Sequence, residues 1–589
     1  MNESASPAQT SNRTGPPRGA VALVTLAAIV AVTASYRDFG VTFDEGAQAH
    51  YGDLALRYYA TLGSDDGVNR FYNLQYYGPV VEMLAQTGAA LTGRAPFEGR
   101  HLIVGLLSTL TLPAVALFAW IGCRRRIVLF AVLILACMPR FVGHALNNSK
   151  DAPFALAFTL FMAAVTLLFV DGRFGWRRVV CAGLAMGFAL SIRPGGLALL
   201  AVFFLGISVL VRLVSAGTEL APTRSRAATP TEPAPPPRSV SLRKLSVLAI
   251  AWVLMFALWP WAQAHPLRSL PEATALSLSL PRAIPVLYHG AYLDSGALPW
   301  TYLPELFAIA TPPSVLILAA IGVWAAIGQF RRRRRTPRLA MVSVVALLWV
   351  AVPLAIFVVR RPAVYDGIRH FLFVLPGLAT VAALGAAFVA DRLESWIGRR
   401  PATAVMCAVA MVPLVGIVRL HPYQVTYYNA LVGGVEGAAG RYDTDYWLSG
   451  YREAVRWLEE APRPSSGGPV GSDGIEVLMA GFPLPGPSDL VEGSECWTER
   501  RPPAAQILVT DFLKAPATHA APPGVRIWTL SELWDAGRPA DKMDYYVATT
   551  RWGYDRCFPE AEIVYRVERA GATFVVVKRL PGSASSTAR

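Results

Sequence analysis

The sequence predicts a polytopic α-helical membrane protein with about eleven transmembrane helices and a C-terminal α/β or α+β domain outside the membrane. Hydrophobic residues make up 54% of the 589 residues and charged residues only 16%, too few to cover a soluble protein of this size. The high apolar content also excludes disorder for most of the chain. Apolar runs long enough to span a bilayer recur up to residue 419, whereas residues 420–589 contain none.

Eleven runs have the length that a membrane span requires. A helix rises about 1.5 Å per residue, so about 20 apolar residues cross a hydrocarbon core about 30 Å thick. We predict spans at 19–35, 101–122, 127–143, 153–170, 178–192, 195–212, 245–262, 304–330, 339–358, 369–390 and 402–419. A tight turn at Arg193-Pro194-Gly195-Gly196 separates the fifth span from the sixth.

The loops that are densest in arginine alternate with longer loops of mixed charge. The dense segments are Arg124–Arg126, Arg173–Arg178, 213–244, Arg331–Arg335 and Arg392–Arg400. Cytoplasmic loops carry an excess of Lys and Arg, so we expect the N-terminus and these loops inside. The formal net charge of +14 is therefore mainly a topology signal. It predicts the lipid bilayer, and no nucleic acid, as a partner.

The same boundaries divide the chain into three parts. We predict a disordered cytoplasmic N-terminus at 1–18, a transmembrane domain at 19–419 and an external soluble domain at 420–589. Within the transmembrane domain, 36–100 is the first external loop and 213–244 is a Pro-rich cytoplasmic linker. The external domain has strand-like runs and one helix-like run, at Ile475–Met479, Gln506–Val509, Thr573–Val577 and Tyr451–Glu460.

Two cysteines, Cys496 and Cys557, belong to the external domain. An external compartment is oxidising, so the two are candidates for a disulfide. The alternative is a pair of unlinked, buried thiols.

An adjacent acidic pair, Asp44-Glu45, lies in the first external loop at the start of a helical pattern over 44–60. A carboxylate near a membrane face can act as a general base toward a hydroxyl, and partial burial would raise its pKa. The alternative, purely structural interpretation is that Thr42-x-x-Glu45 is a capping box at the start of a helix. The two roles are compatible if Glu45 closes the box while Asp44 points at substrate.

A second polar cluster joins the third and fourth spans. Polar residues this dense between two spans are costly unless they serve a function. Lys150 is a candidate contact for an anionic head group, and Asp151 a candidate to orient it. His144 and Asn148 are further candidate substrate contacts. The alternative is a solvated turn with Pro153 in the first turn of the fourth span.

Two further clusters lie at the same membrane face. Arg193 sits at the turn between the fifth and sixth spans, beside glycines that would let a ligand approach. Its guanidinium suits phosphate geometry, and the alternative is an arginine that snorkels to lipid phosphates. The segment before the tenth span adds candidates for phosphate or sugar contact, with interfacial anchoring as the alternative: Tyr365, Asp366, Arg369 and His370.

Several sequence signals for other chemistries are missing. No pair of histidines has a convincing metal spacing, so we predict no structural metal and no cofactor. The sequence also lacks a Walker loop, a G-x-S-x-G elbow and a nucleotide fingerprint, which argues against a soluble nucleotide sugar on the inside face.

In these residues and in its predicted architecture, the chain resembles membrane glycosyltransferases of the GT-C fold. The likeness is to the protein-mannosyltransferase and aminoarabinose-transferase branch (family 39), which uses a polyprenyl-phosphate sugar. It covers about 1–430 as architecture and rests on the Asp44-Glu45 pair, eleven spans and several short stretches. These are Gly187–Arg193, which looks like the family's Ser-x-Lys/Arg turn, Asn147–Asp151, Arg369–Pro376, His421–Gln424 and Tyr427–Asn429. One departure is that the external domain lacks the sugar-binding repeat of the eukaryotic protein mannosyltransferases.

The resemblance implies an inverting glycosyl transfer at the external face. Asp44 would deprotonate an acceptor hydroxyl that attacks the anomeric carbon, while Glu45 positions the acceptor or the helix. Arg193 first, then Lys150 and Arg369, would stabilise the departing polyprenyl phosphate. The implied partners are a polyprenyl-phosphate-linked sugar and an acceptor lipid, glycan or protein. The implied location, supported by the Arg/Ala/Pro-rich composition, is a bacterial cytoplasmic (inner) membrane.

Two other classes compete with this interpretation. A transporter or lipid flippase would show charges near the middle of spans and paired broken helices. Here the charges cluster at one face, with Pro139-Arg140 and Pro312-Pro313 as exceptions. The second class is a scaffold whose working part is the external domain.

Overall fold

The protein is a helical bundle followed by a small mixed sheet. The computed structural model describes residues 15–170, 174–215, 237–278, 284–460, 475–479, 525–529 and 543–580. The helices are α1 Arg18–Ser35, α2 Glu45–Ala60, α3 Val80–Thr92, α4 Pro96–Thr109, α5 Thr111–Trp120, α6 Arg125–Ala136, α7 Pro139–Asn147, α8 Asp151–Val170, α9 Trp176–Leu190, α10 Leu197–Ser215, α11 Pro237–Leu258, α12 Pro260–Ala264, α13 Ser269–Leu278, α14 Tyr302–Ala310, α15 Pro313–Arg331, α16 Pro337–Arg360, α17 Leu375–Ile397, α18 Arg399–Met411, α19 Leu414–Arg419, α20 Gly434–Ala438 and α21 Tyr451–Glu460. The strands are β1 Pro285–Tyr288, β2 Ala291–Asp294, β3 Ile475–Met479, β4 Val525–Thr529, β5 Tyr545–Thr549, β6 Glu562–Arg569 and β7 Ala572–Arg579.

Within those described ranges, nine helical segments are long and apolar enough to cross a membrane. A tenth is added if α6 and α7, bent by 64°, form one span. The predicted polytopic helical architecture is therefore confirmed, with differences in at least three of the eleven predicted spans. The segment 127–143 is bent between α6 and α7. The segment 178–192 forms α9, which has only 15 residues. The segment 304–330 is divided into α14 and α15.

Both breaks in the apolar helices lie at an X-Pro step. Met138 precedes Pro139 and has ψ of 111°, and Thr311 precedes Pro312 and has ψ of 136°. The proline ring disfavours helical backbone at the preceding residue, which accounts for the end of the helix at both positions. The two sequence exceptions noted above are thus helix breaks.

Burial separates central helices from peripheral ones. The apolar window of α17 is 89% buried and that of α8 83%, whereas the window of α1 is 6% buried. An apolar helix that stays exposed on the protein is suited to face lipid. The helices α15 and α17 approach closely at Gly322 and Gly385, where a Cβ would overlap a backbone carbonyl of the other helix. Small residues permit this packing between membrane helices.

Two of the arginine-rich segments, Arg124–Arg126 and Arg392–Arg400, meet at one end of the bundle. Arg124 Nη2 lies 2.6 Å from Asp391 Oδ2, and Arg126 Nη1 lies 2.7 Å from Glu394 Oε2. Leu375 and Asp391 are 16 residues apart in α17, about 24 Å along its axis. The segment that precedes α17 therefore lies toward the opposite end, which we call the site end.

The C-terminal region forms a five-stranded sheet of order β4-β3-β5-β7-β6. The strand β3 runs parallel to β4 and β5, and β7 runs antiparallel to β5 and β6. Buried side chains of α21 pack on this sheet, as an α/β or α+β unit requires. The helix α21 and strand β3 occupy the predicted ranges, and β7 contains Thr573–Val577.

Several sequence predictions concern residues that the structure describes only in part or not at all. The predicted strand at Gln506–Val509, residues 1–14 and most of the predicted linker, 216–236, lie outside the described residues. Helix extends into both ends of the predicted linker, because α10 reaches Ser215 and α11 begins at Pro237, a residue favoured in a first helical turn. Cys557 is buried and disulfide-bonded. Its predicted partner Cys496 lies outside the described residues.

Candidate functional site

A polar cavity of about 210 Å³ opens at the site end of the bundle. Six segments meet there: the start of α2, the segment before α3, the α7–α8 turn, the α9–α10 turn, α13 and the segment before α17. Eight of the residues predicted from sequence line it: Asp44, Asn148, Lys150, Asp151, Arg193, Tyr365, Arg369 and His370.

Asp44 projects into the cavity from the start of α2. Its Oδ2 accepts a hydrogen bond from Arg369 Nη1 at 2.9 Å. In the part of the chain that the structure describes, its Oδ1 has no hydrogen-bond partner. The Asp44 side chain is 27% exposed, so one carboxylate oxygen remains available to a ligand.

Glu45 has a different environment from its neighbour. Its Oε2 accepts a hydrogen bond from the Thr42 N–H at 2.7 Å, which is one of the two bonds of the predicted capping box; the Thr42 hydroxyl does not make the other within the described ranges. Its Oε1 lies 2.8 Å from His101 Nε2. The residue is 2% exposed and is not among those that line the cavity. Both of its oxygens hold the start of α2, which fits the predicted role of Glu45 in positioning that helix; its catalytic role stays a prediction.

Lys150 supplies a cation that is not neutralised by a neighbour. Asn148 Oδ1 accepts hydrogen bonds from the N–H groups of Lys150 and Asp151, which fixes the turn that starts α8. The Lys150 Nζ lies 4.7 Å from the centroid of the Tyr77 ring and has no ion pair within the described ranges. Burial lowers the pKa of Lys150 to about 8, and the charges of Asp44 and Glu82 oppose this shift.

Arg193 reaches the same cavity from the α9–α10 turn. One of its guanidinium nitrogens contacts Asp151 Oδ1, and Asp151 also accepts a hydrogen bond from Asn148 Nδ2 at 3.0 Å. Asp151 therefore orients Arg193, where the sequence suggested that it would orient Lys150. The adjacent Gly195 does not make room for a ligand: a Cβ there would overlap Ser277 in α13.

Arg369 is held between two carboxylates. Its Nη2 lies 3.0 Å from Asp366 Oδ2, in addition to its bond to Asp44. Its guanidinium also stacks over Tyr365 at 4.7 Å and over Trp447 at 5.3 Å. These contacts favour a role in holding Asp44 over its predicted role as a further phosphate ligand after Arg193 and Lys150.

Two predicted substrate contacts are buried away from the cavity. Asp366 is fully buried and pairs with Arg369 and Arg551. His144 is also fully buried, with its Nε2 at 2.9 Å from the Tyr446 hydroxyl. Neither side chain lines the cavity, so their roles as substrate contacts stay predictions without support from its lining. His370 does line it, with its ring 4.8 Å from that of Tyr365.

Other functional candidates were missed from the sequence. Gln48 and Tyr77 line the cavity. Gln48 follows Asp44 by four residues, and this spacing places two side chains on the same face of a helix. The sequence could therefore have identified Gln48 as a candidate. Tyr77 lies in a stretch without a regular period and became a candidate only through its contacts with Lys150 and Arg193.

A second, larger cavity of about 620 Å³ lies between the β1–β2 hairpin and the C-terminal sheet. None of the predicted site residues borders it. Asp443 does, and burial raises the pKa of its carboxyl to about 6. Within the described ranges, no group of three or more His, Cys, Asp or Glu side chains is arranged to hold a metal ion.

No protein-family model matches this sequence, and no curated protein sequence matches it. Among solved structures, it is similar to ArnT from Cupriavidus metallidurans in the apo state, with 16% identity and a TM-score of 0.48 over 95% of this chain and 98% of that chain. For the same enzyme bound to undecaprenyl phosphate, identity is 14% and the TM-score 0.46, over 97% and 99%. For the Archaeoglobus fulgidus oligosaccharyltransferase in the apo form, identity is 14% and the TM-score 0.42, over 90% and 69%. All three are similarities of structure at low sequence identity.

Proposed function

We propose that the protein is an inverting glycosyltransferase of the GT-C type that moves a sugar from a polyprenyl-phosphate carrier to an acceptor hydroxyl at the external membrane face. The observation that carries this proposal is the composition of the site cavity. One carboxylate with a free oxygen, Asp44, and two cations, Lys150 and Arg193, line the same small space at one end of an apolar helical bundle. The resemblance drawn from the sequence assigns the base and the phosphate ligands to the same residues.

The chemistry follows from the charges of these groups. The acceptor oxygen forms a bond to the anomeric carbon as the bond from that carbon to the phosphate oxygen breaks. The acceptor proton passes to Asp44 Oδ1, which carries no other hydrogen bond within the described ranges. The polyprenyl phosphate leaves as an anion and needs no proton. Lys150 and Arg193 stabilise its negative charge, and partial burial of the cavity strengthens that interaction.

The second oxygen of Asp44 gives the base its position. Arg369 holds Oδ2, so the free oxygen is presented in one direction. A base must lie within hydrogen-bond reach of its proton, and fixing one oxygen limits the positions of the other.

Turnover of a defined donor tests the proposal. Purified protein would be incubated with a panel of radiolabelled polyprenyl-phosphate hexoses and pentoses and with an acceptor extract. We expect release of polyprenyl phosphate with one donor and a product of inverted anomeric configuration. A retained configuration would contradict the single displacement. Absence of turnover with every donor, together with movement of the labelled lipid between leaflets of a vesicle, would favour a flippase.

A further inference from the structure

A buried arginine of the C-terminal domain is linked to Asp44 through two intervening charged residues. Arg551 Nη2 lies 2.6 Å from Asp366 Oδ1. Asp366 Oδ2 lies 3.0 Å from Arg369 Nη2, and Arg369 Nη1 lies 2.9 Å from Asp44 Oδ2. The two carboxylates and two guanidiniums alternate and balance in charge. Three of the four are nearly or fully buried, so each depends on its neighbour for charge compensation.

A second set of contacts, made through backbone carbonyls, also connects Arg551 to Asp44. Arg551 Nη1 donates to the Tyr446 carbonyl. The carbonyl of the next residue, Trp447, accepts a hydrogen bond from the Phe43 N–H at 3.2 Å. Phe43 immediately precedes Asp44. The position of Arg551 therefore bears on both the side chain and the backbone at Asp44.

The segment that carries Arg551 is itself held firmly. Trp552 is 4% exposed and has a φ of 58°, a backbone conformation that is uncommon for a bulky residue. Its indole N–H donates to the Pro285 carbonyl in β1 at 3.2 Å, and its ring lies 4.1 Å from the Arg551 guanidinium. Such strained residues persist where the surrounding structure over-determines them, and they cluster at functional sites.

We infer that Arg551 is a positioning residue for the transfer reaction, and that through it the C-terminal domain sets the geometry of Asp44. Arg551 satisfies one oxygen of Asp366, which leaves Arg369 free to bond to Asp44 with its other nitrogen. Without Arg551, Asp366 would draw Arg369 away from Asp44. The kinetic part of this inference rests on the proposed function, whereas its structural part does not.

A double-mutant cycle tests the inference. The variants are Arg551→Gln, Asp366→Asn and the two combined, with Arg551→Lys as a charge-conserving variant. Arg566→Gln is the matched control, because Arg566 is an exposed arginine in the same domain. A single substitution leaves a buried charge without its partner, whereas the combined variant removes both charges. The combined variant can therefore be measured even if a single variant fails to fold.

We expect Arg551→Gln to lower kcat by about 10- to 100-fold with little change in the donor KM, since a misplacement of about 1 Å can cost that much. Arg551→Lys should recover part of the loss. The kcat of the combined variant should be no lower than that of Asp366→Asn, because both substitutions interrupt the same series of ion pairs from Arg551 to Asp44. Multiplicative losses, an effect confined to KM or an unchanged kcat would overturn the inference.

A structure of Arg551→Gln by electron microscopy separates this inference from the proposed function. If the wild type turns over no donor, the proposed function fails, and the contact between Arg369 and Asp44 decides the inference alone. Loss of that contact in the variant would support the positioning role. Its retention at the present distance would contradict it.

Discussion

Among the described charged groups of the site cavity, Asp44 Oδ1 and Lys150 Nζ stand out because neither has a hydrogen bond or ion pair. The other charged groups there are committed to each other. Arg369 is bound to Asp44 and Asp366, and Arg193 is bound to Asp151. An ionised group that stays unpaired in a partly buried cavity costs free energy unless a ligand compensates it. The two free groups are thus the positions where a ligand would gain most.

If Lys150 binds phosphate as proposed, that binding should depend on pH. Burial lowers its pKa to about 8, so its ammonium form is lost as the pH rises through that value. We expect the affinity of the empty protein for polyprenyl phosphate to fall above about pH 8, by up to tenfold per pH unit. In Lys150→Arg the charge persists, because the guanidinium pKa lies above about 12. Equilibrium binding between about pH 7 and 10 checks this, and parallel profiles for the two proteins would remove Lys150 from the phosphate site.

The sequence singled out several residues that line the cavity where a short motif contains them. Asp44, Lys150 and Arg193 each lie beside a helix end that the apolar pattern reveals. The burial of Asp366 and His144 was not predictable, because it depends on contacts with the chain that returns after residue 420. Arg551 was missed because its partner Asp366 lies 185 residues earlier, and no local pattern connects them.

At the scale of elements, two chain segments touch through a glycine. The Gly78 N–H donates to the Ile192 carbonyl at 3.3 Å, and a Cβ at Gly78 would overlap the Ser191 carbonyl. The residues that follow Ile192 and precede Gly78 are Arg193 and Tyr77, whose guanidinium and ring lie 5.8 Å apart. This backbone contact therefore sets the width of the cavity on its cationic side.

Gly78→Ala should force these two segments apart. Overpacking of this kind costs about 1–3 kcal/mol of stability, and the separation should also weaken phosphate binding. Gly206→Ala in α10 is the control, because a Cβ there meets no atom within 4 Å and alanine favours a helix. Thermal unfolding in detergent and phosphate binding measure both effects. Equal behaviour of the two variants would show that the close contact has no such role.

Element boundaries were missed where a proline interrupts an apolar run and breaks the helix. The pattern of apolar residues alone joined α14 to α15, although Pro312 stops the first helix. The β1–β2 hairpin was not predicted, since its four-residue strands are too short to show an alternating pattern.

At the scale of the whole molecule, the distribution of charge predicts which end faces the cytoplasm. The arginine pairs with Asp391 and Glu394 lie at one end of α17, and the site cavity lies at the other. The positive-inside rule would place the arginine-rich end in the cytoplasm and the cavity outside. A polyprenyl-linked donor whose sugar is presented outside would then meet Asp44 at the membrane surface.

Cysteine labelling checks this orientation. Cys123 is exposed beside Arg124, and Leu62 is 95% exposed in the connection between α2 and α3. In a background without the other free cysteines, a membrane-impermeant maleimide should label Leu62→Cys on intact cells, after Cys123 has also been replaced. Native Cys123 should react only once the cells are permeabilised. The reverse pattern would invert the topology.

The most direct test of the account is the rate of sugar transfer by Asp44→Asn. The amide cannot accept the proton as a carboxylate does, so we predict that turnover of the lipid-linked donor falls by about 10²- to 10⁴-fold. Binding of polyprenyl phosphate should persist, because Lys150 and Arg193 remain. Asp53→Asn is the matched control, since Asp53 lies on the same helix and accepts a hydrogen bond from Gln86 away from the cavity. Equal turnover in Asp44→Asn and the wild type would contradict the central claim that Asp44 is the base.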